Sequence, residues 1–155
     1  MRRVAMLTVA SGILAAAAVS PAIAESQAEQ KMLTPQDLKW VPGPASLPAG
    51  AEMASLYGDA TKEGMFAVRF KVPKGYRVPP HTHPRPEIVT VLSGTVRLGM
   101  GEAEHVFPAG SFYATPPGMV HRFTADEDTL VQVNSTGPWG INYVNPKDDP
   151  RQKPQ

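Results

Sequence analysis

Proline and glycine interrupt this chain at intervals too short for long helices. Seventeen prolines and thirteen glycines cluster between apolar stretches, and a proline inside a helix both removes an amide donor and clashes with the preceding turn. Short strands joined by tight turns can form between such breaks, so the sequence reads as all-β, a sandwich or barrel. The clearest strand spans 65–72, where Phe66, Val68, Phe70 and Val72 alternate with Ala67, Arg69 and Lys71, so that one face turns to a core. Further strands are expected at 76–78, 87–92, 95–98, 105–107, 112–115, 121–124, 129–134 and 141–144, at hairpin-like spacing and with no crossover helix between them. Ahead of them, Thr34-Pro35-Gln36-Asp37 reads as a single helical turn, with Thr34 as cap and Pro35 at the first helical position. Prolines at 42, 44 and 48 make 40–50 an extended wrap, and the charged, proline-rich stretch 146–155 reads as a flexible tail.

The first residues bear on location. Met1-Arg2-Arg3, an apolar alanine-rich run from Val4 to Val19 and Ala22-Ile23-Ala24 follow the order of a secretory signal peptide, with cleavage expected after Ala24. The apolar run is shorter than the roughly 20 residues that span a bilayer, so no membrane anchor is expected after cleavage. The product would be periplasmic or secreted. Val4-Ala5-Met6-Leu7 after the arginine pair departs from a twin-arginine signal, which favours general secretion. Loss of Arg2 and Arg3 takes the formal charge from +1 to −1, and nothing basic is left to favour nucleic acid as a partner. The expected organisation is a signal peptide at 1–24, a wrap segment at 25–57, one barrel at 58–145 and the tail at 146–155. The chain has no cysteine, so neither disulfides nor thiolate ligands are available, and any metal must be held by nitrogen and oxygen.

Three of the four histidines fall in two short stretches. His81 and His83 are two apart on an extended segment, so both rings project from one face. Pro84 and Pro86 end that segment, and Glu87 then shares a strand face with Val89 and Val91. A carboxylate in an apolar row is costly unless paired or bound to a metal. His121 follows the turn at Pro116-Pro117-Gly118. Three imidazoles and a carboxylate form a mixed ligand set that divalent zinc, iron, manganese, nickel or copper accepts. His105 sits in a polar connection and reads as a bystander. Arg85, Arg97 and Arg122 read as solvated outer-face charge rather than as contacts to a carboxylate substrate, and Met119 as a cavity-wall or core residue. Trp40 and Trp139 read either as packing residues or as lining a barrel mouth or a partner strand, which the sequence does not separate.

The spacing of these residues resembles the two motifs of the cupin superfamily. All nine defining positions match: Gly75, His81, His83, Glu87, Gly94, Gly110, Pro116, Gly118 and His121. Ala125 stands where many cupins carry an asparagine, which touches the local turn and not the ligand set. The resemblance implies a cupin double-stranded β-helix, a jelly-roll barrel in a single domain. It also implies His81, His83, Glu87 and His121 as ligands of a divalent metal, with a small-molecule ligand or substrate as partner. Activity is expected to be dioxygenase-like, with Glu87 able to act as a base. The alternative is a metal-dependent binding or sensing module without turnover, and the run from Trp40 to Arg151 is similar to the cupin part of zinc-binding anti-sigma regulators. Pairing of exposed edge strands would give a homodimer.

Overall fold

A computed structural model describes residues 30–152; the expected signal peptide and its cleavage site lie outside them. Residues 31–152 belong to one compact unit, in which the described residues form eleven strands in two antiparallel sheets. The strands are β1 (Val41–Pro42), β2 (Glu52–Tyr57), β3 (Gly64–Val72), β4 (Arg77–Thr82), β5 (Glu87–Ser93), β6 (Thr95–Met100), β7 (Ala103–Pro108), β8 (Phe112–Thr115), β9 (His121–Ala125), β10 (Thr129–Gly137) and β11 (Asn142–Tyr143). One sheet runs β1-β2-β3-β10-β5-β8 and the other β11-β4-β9-β6-β7. This is the jelly-roll barrel expected from the sequence.

All nine expected strands are present, as β3 to β11. Their pairing differs from the hairpin-like reading. Among them only β6 and β7 are sequence neighbours that hydrogen-bond to each other. β3, β4, β5 and β6 alternate between the two sheets, so β3 pairs with β10, and β4 pairs with β9. Tight turns are equally compatible with a hairpin and with a corner that carries the chain to the facing sheet. Burial of the apolar faces against one another decides between them.

β10 shows the pattern that holds the barrel together. It pairs with β3 from Thr129↔Val72 to Gly137↔Gly64 and with β5 on its other side, and its odd-numbered residues are buried. The core gathers Phe66, Val68 and Phe70 from β3, Val89 and Val91 from β5, Val96 and Leu98 from β6, Tyr113 from β8, and Val131 and Val133 from β10. Gly94 makes the corner from β5 to β6 at φ +79°. A Cβ there would meet Asp128 O at 2.7 Å and Thr129 Cα at 2.8 Å, so a side chain is excluded on both conformational and steric grounds.

The sequence reading missed β1 and β2, which lie inside the expected wrap. Glu52-Met-Ala-Ser-Leu-Tyr57 has no β-branched residue and little alternation. It becomes a strand because the edge of β3 offers it hydrogen-bond partners. The helical turn is present as a 3-10 turn, Pro35–Asp37, and the Asp37 carboxylate accepts from both Thr34 N and Thr34 Oγ1 at 2.7 Å. Trp40 covers the outer face of β3, with Lys71 Nζ 3.8 Å from its ring centroid. As far as Gln152, the stretch read as a tail carries two 3-10 turns, Pro146–Asp148 and Pro150–Gln152. Asp149 is buried there and bonded to Arg151.

Candidate metal centre

β4 delivers the first histidine by breaking its own register. Val78 and His81 are both buried, yet strict alternation would send residues three apart to opposite faces. The pairing with β9 shifts between them, at Pro79 and Pro80, which have no amide hydrogen to place in the ladder. The bulge restores the inward direction, and His81 ends directly opposite His121 on β9. His83 follows two residues later and is buried on the same side, as expected. Its carbonyl accepts from Gly118 N at 2.9 Å, tying the segment after β4 to the turn before β9. Glu87 opens β5 and faces inward with Val89 and Val91.

His81, His83 and His121 form one group, each offering a ring nitrogen within 4.8 Å of the others. All three are at least 96 % buried. The Glu87 carboxylate lies against two of them, with Oε2 3.2 Å from His121 Nε2 and Oε1 3.6 Å from His83 Nε2. Thr115 Oγ1, across the β5–β8 ladder, is 3.5 Å from Glu87 Oε2.

The other ring nitrogen of each histidine fixes its tautomer. His81 Nδ1 is 2.7 Å from Pro79 O, His83 Nδ1 is 2.6 Å from Gly140 O and His121 Nδ1 is 3.1 Å from Met119 O. A carbonyl oxygen only accepts, so each Nδ1 carries the hydrogen; the Nε2 atoms of His81 and His83 then present lone pairs, whereas that of His121 faces the Glu87 carboxylate, to which a proton or a metal ion can join it. Among the described residues His83 Nε2 is buried without a hydrogen-bond partner. Three imidazoles held by backbone carbonyls through Nδ1, with Nε2 left as the ligand atom, match the way histidine is oriented for a metal ion.

Electrostatics agrees with that role. Burial, followed by the neighbouring His121 ring, lowers the His81 pKa to about 4. Burial also lowers that of His83, although the Glu87 carboxylate opposes it. Burial alone would raise Glu87, yet the hydrogen bond from His121 and the nearby imidazoles hold its carboxyl below the usual range. For His121 burial acts downward and is outweighed by the bond to Glu87, so its pKa is raised. Two neutral imidazoles and an ionised carboxylate are what a divalent cation needs.

The site opens into a cavity of about 60 Å³ walled mainly by apolar side chains from both sheets, among them Val78, Val89, Phe123, Val131 and Ile141. Trp139 and Tyr113 also line it. Trp139 does more than pack: its ring lies flat on His83, with centroids 4.3 Å apart and planes 10° from parallel. The Trp139–Gly140 pair therefore grips His83 by its face and by its Nδ1 hydrogen. No pattern in the sequence around Trp139 marks that contact, because it depends on the chain returning past β10 to β4.

Other expectations resolve simply. His105 is exposed on β7 and outside the group. Arg97 pairs with Asp126 and Glu104, Arg122 with Glu104 and Arg85 with Glu63, and none of the three lines the cavity. Met119 is a correction: the residue is 38 % exposed, and what it contributes to the site is its carbonyl. Met119 follows Gly118 in a turn, so it does not inherit the inward direction of a strand.

Residues 68–135 match the family model described as the cupin domain. No curated protein matches the chain. Among solved structures, the polyketide cyclase RemF from Streptomyces resistomycificus is 20 % identical, with a TM-score of 0.64 over 79 % of this chain and 90 % of its own. A protein assigned as an acetylacetone dioxygenase, from Methylibium petroleiphilum PM1, is 18 % identical, with a TM-score of 0.65 over 81 % and 88 %. An RmlC-like cupin from Shewanella frigidimarina is 17 % identical, with a TM-score of 0.58 over 71 % and 94 %. At these identities the likeness is one of fold.

Proposed function

The chain belongs to the cupin superfamily, and on that premise we propose that it binds a divalent metal ion through His81, His83, His121 and Glu87 and uses it to act on a small molecule. The observation that carries this reading is the set of three Nδ1–carbonyl bonds, which leaves three Nε2 atoms aimed at one place. Bonds of about 2.1 Å set neighbouring ligand atoms roughly 3 Å apart, close to the separations of Glu87 from His121 and His83. Zinc, iron, manganese, nickel and copper all suit these donors. Metal content of the protein purified without chelators tests the reading: about one ion per chain is expected, and a metal-free protein that takes up none of the five on incubation overturns it.

Three histidines and one carboxylate leave room on a six-coordinate ion for a ligand that chelates through two oxygens. When bound, the ion supplies Lewis-acid or redox chemistry of the dioxygenase type. The chain's own part is positional. The apolar wall excludes water and strengthens polar contacts at the site, while among the described residues Glu87 is the only carboxylate lining the cavity and so the group able to take a proton from a bound substrate. Glu87→Gln, which keeps shape and removes the base, is expected to lower turnover at least about 100-fold. Unchanged turnover with metal retained would remove Glu87 from that role.

A second reading, a metal-dependent binding or sensing module, is favoured by one observation. Apart from Glu87 and the histidines, the titratable groups lining the cavity are two tyrosines, Tyr76 and Tyr113, whose pKa values burial raises. Ligand-induced stabilisation without product or oxygen consumption would select it. We also place the protein outside the cytoplasm. Mature protein recovered from the periplasm is expected to begin at Glu25 by intact mass, and a product that retains Met1 in the cytoplasm would contradict export.

A further inference from the structure

Of the described residues lining the cavity, all but one belong to the strands from β3 onward or to the turns and loop between them. The exception is Leu47, contributed by the proline-rich segment ahead of β2. Leu47 packs against both apolar clusters of the domain and is only half-buried. It therefore has cavity on one side and solvent on the other.

The segment that carries Leu47 is fastened on both sides of it. Tyr143 Oη donates to Ser46 O at 2.8 Å, and Tyr76 Oη donates to Pro48 O at 2.7 Å. Leu47 N closes a turn onto Pro44 O at 2.9 Å, and Pro44 and Pro48 restrict the backbone further. The two tyrosines come from the β3–β4 turn and from β11, so each belongs to the barrel and not to the strap. Tyr143 also packs near the site itself, with its ring centroid 6.1 Å from that of His81.

We propose that Leu47 is the size-determining residue of this cavity: its side chain, held in place by Tyr76 and Tyr143, forms the wall that limits the ligand to a small chelator. The space of about 60 Å³ holds only a few water-sized groups, since one needs roughly 10–15 Å³. With Leu47 in place, a chelating head with a methyl-sized substituent is expected to fit and one with an aryl substituent to be rejected. The chelating head rests on the metal reading above; the wall does not, because it is built from apolar contacts and two hydrogen bonds.

Two hydroxamates with the same chelating head and different bulk separate these points. In zinc-loaded protein, acetohydroxamate is expected to bind at least about ten-fold more tightly than benzohydroxamate, the penalty for forcing extra atoms into a filled interior. Leu47→Ala should bring the two within about three-fold of each other by strengthening benzohydroxamate, and Leu47→Met, which keeps the volume, should preserve the preference. Tyr143→Phe leaves the Leu47 side chain intact and frees one side of the strap, so it should narrow the preference in the same direction if the alanine variant does not fold. Equal binding of the two hydroxamates by the wild type, or a preference unchanged in both Leu47→Ala and Tyr143→Phe, overturns the proposal. If neither hydroxamate binds any zinc-treated protein, the metal reading has failed and metal-free protein decides the wall. Benzene followed by NMR titration should then enter Leu47→Ala and not the wild type, as apolar cavities opened by such truncations do. Benzene shifts that are the same in both proteins overturn the wall as well.

Discussion

Replacing His81 and His121 together by alanine is expected to empty the site of metal, from about one ion per chain to less than about a tenth, with the barrel still folded. The two residues face each other across β4 and β9, with ring centroids 4.3 Å apart, so their loss removes one wall of the ligand set. Outer-sphere partners of a metal site cost about 10- to 100-fold in affinity when removed; two direct ligands should cost considerably more. Each side chain is also buried, so truncation leaves voids and takes the ring donors from Pro79 O and Met119 O. Glu87 would lose its closest imidazole partner, and its carboxyl would then be held down chiefly by His83, 3.6 Å away. Elemental analysis beside far-UV circular dichroism reads the result. A folded variant that retains its full metal content would mean the ion is held elsewhere and would remove the central assignment.

The second large effect concerns stability and reaches the site through one ring. Phe66→Ala is expected to lower stability by about 3–5 kcal/mol, the usual cost of truncating a buried aromatic. Phe66 is 2 % exposed, belongs to the main cluster and is among the largest fully buried side chains. At roughly 4 °C per kcal/mol for a domain of this size, the midpoint should fall by roughly 12 to 20 °C. Phe66 also supports Trp139, whose ring centroid is 5.6 Å away, and Trp139 in turn lies flat on His83. The cavity left by the phenyl ring gives Trp139 room to tilt, so metal affinity should fall as well, by less than in the histidine variant. Thermal unfolding of the metal-free protein isolates the first effect and competition with a chelator the second. A loss below about 1 kcal/mol would show that the core closes around the vacancy without help from this ring.

The four proposed ligands were legible in the sequence because their signal is one of residue type at fixed spacing. Imidazoles two apart, a glutamate heading an apolar row and a histidine after a Pro-Pro-Gly turn need no tertiary information to be noticed together. The core was legible for a similar reason, since Phe66, Val68, Phe70 and Val72 alternate plainly and are the residues that end up buried. β2 was not legible. Its residues have weak strand preference, and only the free edge of β3 makes a strand of them. Met119 was misread because a turn carries no periodicity from which to infer direction.

Local sequence thus determined the composition of this protein's parts: short strands, the positions where they break, a charge that favours no polyanion, and a donor set of nitrogen and oxygen alone. Only the tertiary structure decided which strands face each other, and with that the features on which the site depends. The bulge at Pro79 and Pro80 that turns His81 inward, the carbonyls of Pro79, Met119 and Gly140 that fix three tautomers, the Trp139 ring on His83 and the Leu47 strap under Tyr76 and Tyr143 all involve backbone geometry or partners distant in the chain. The physical reason is that residue type and spacing are properties of a segment, whereas a hydrogen-bond partner and a cavity wall are properties of the closed barrel, settled by burying two apolar faces against each other.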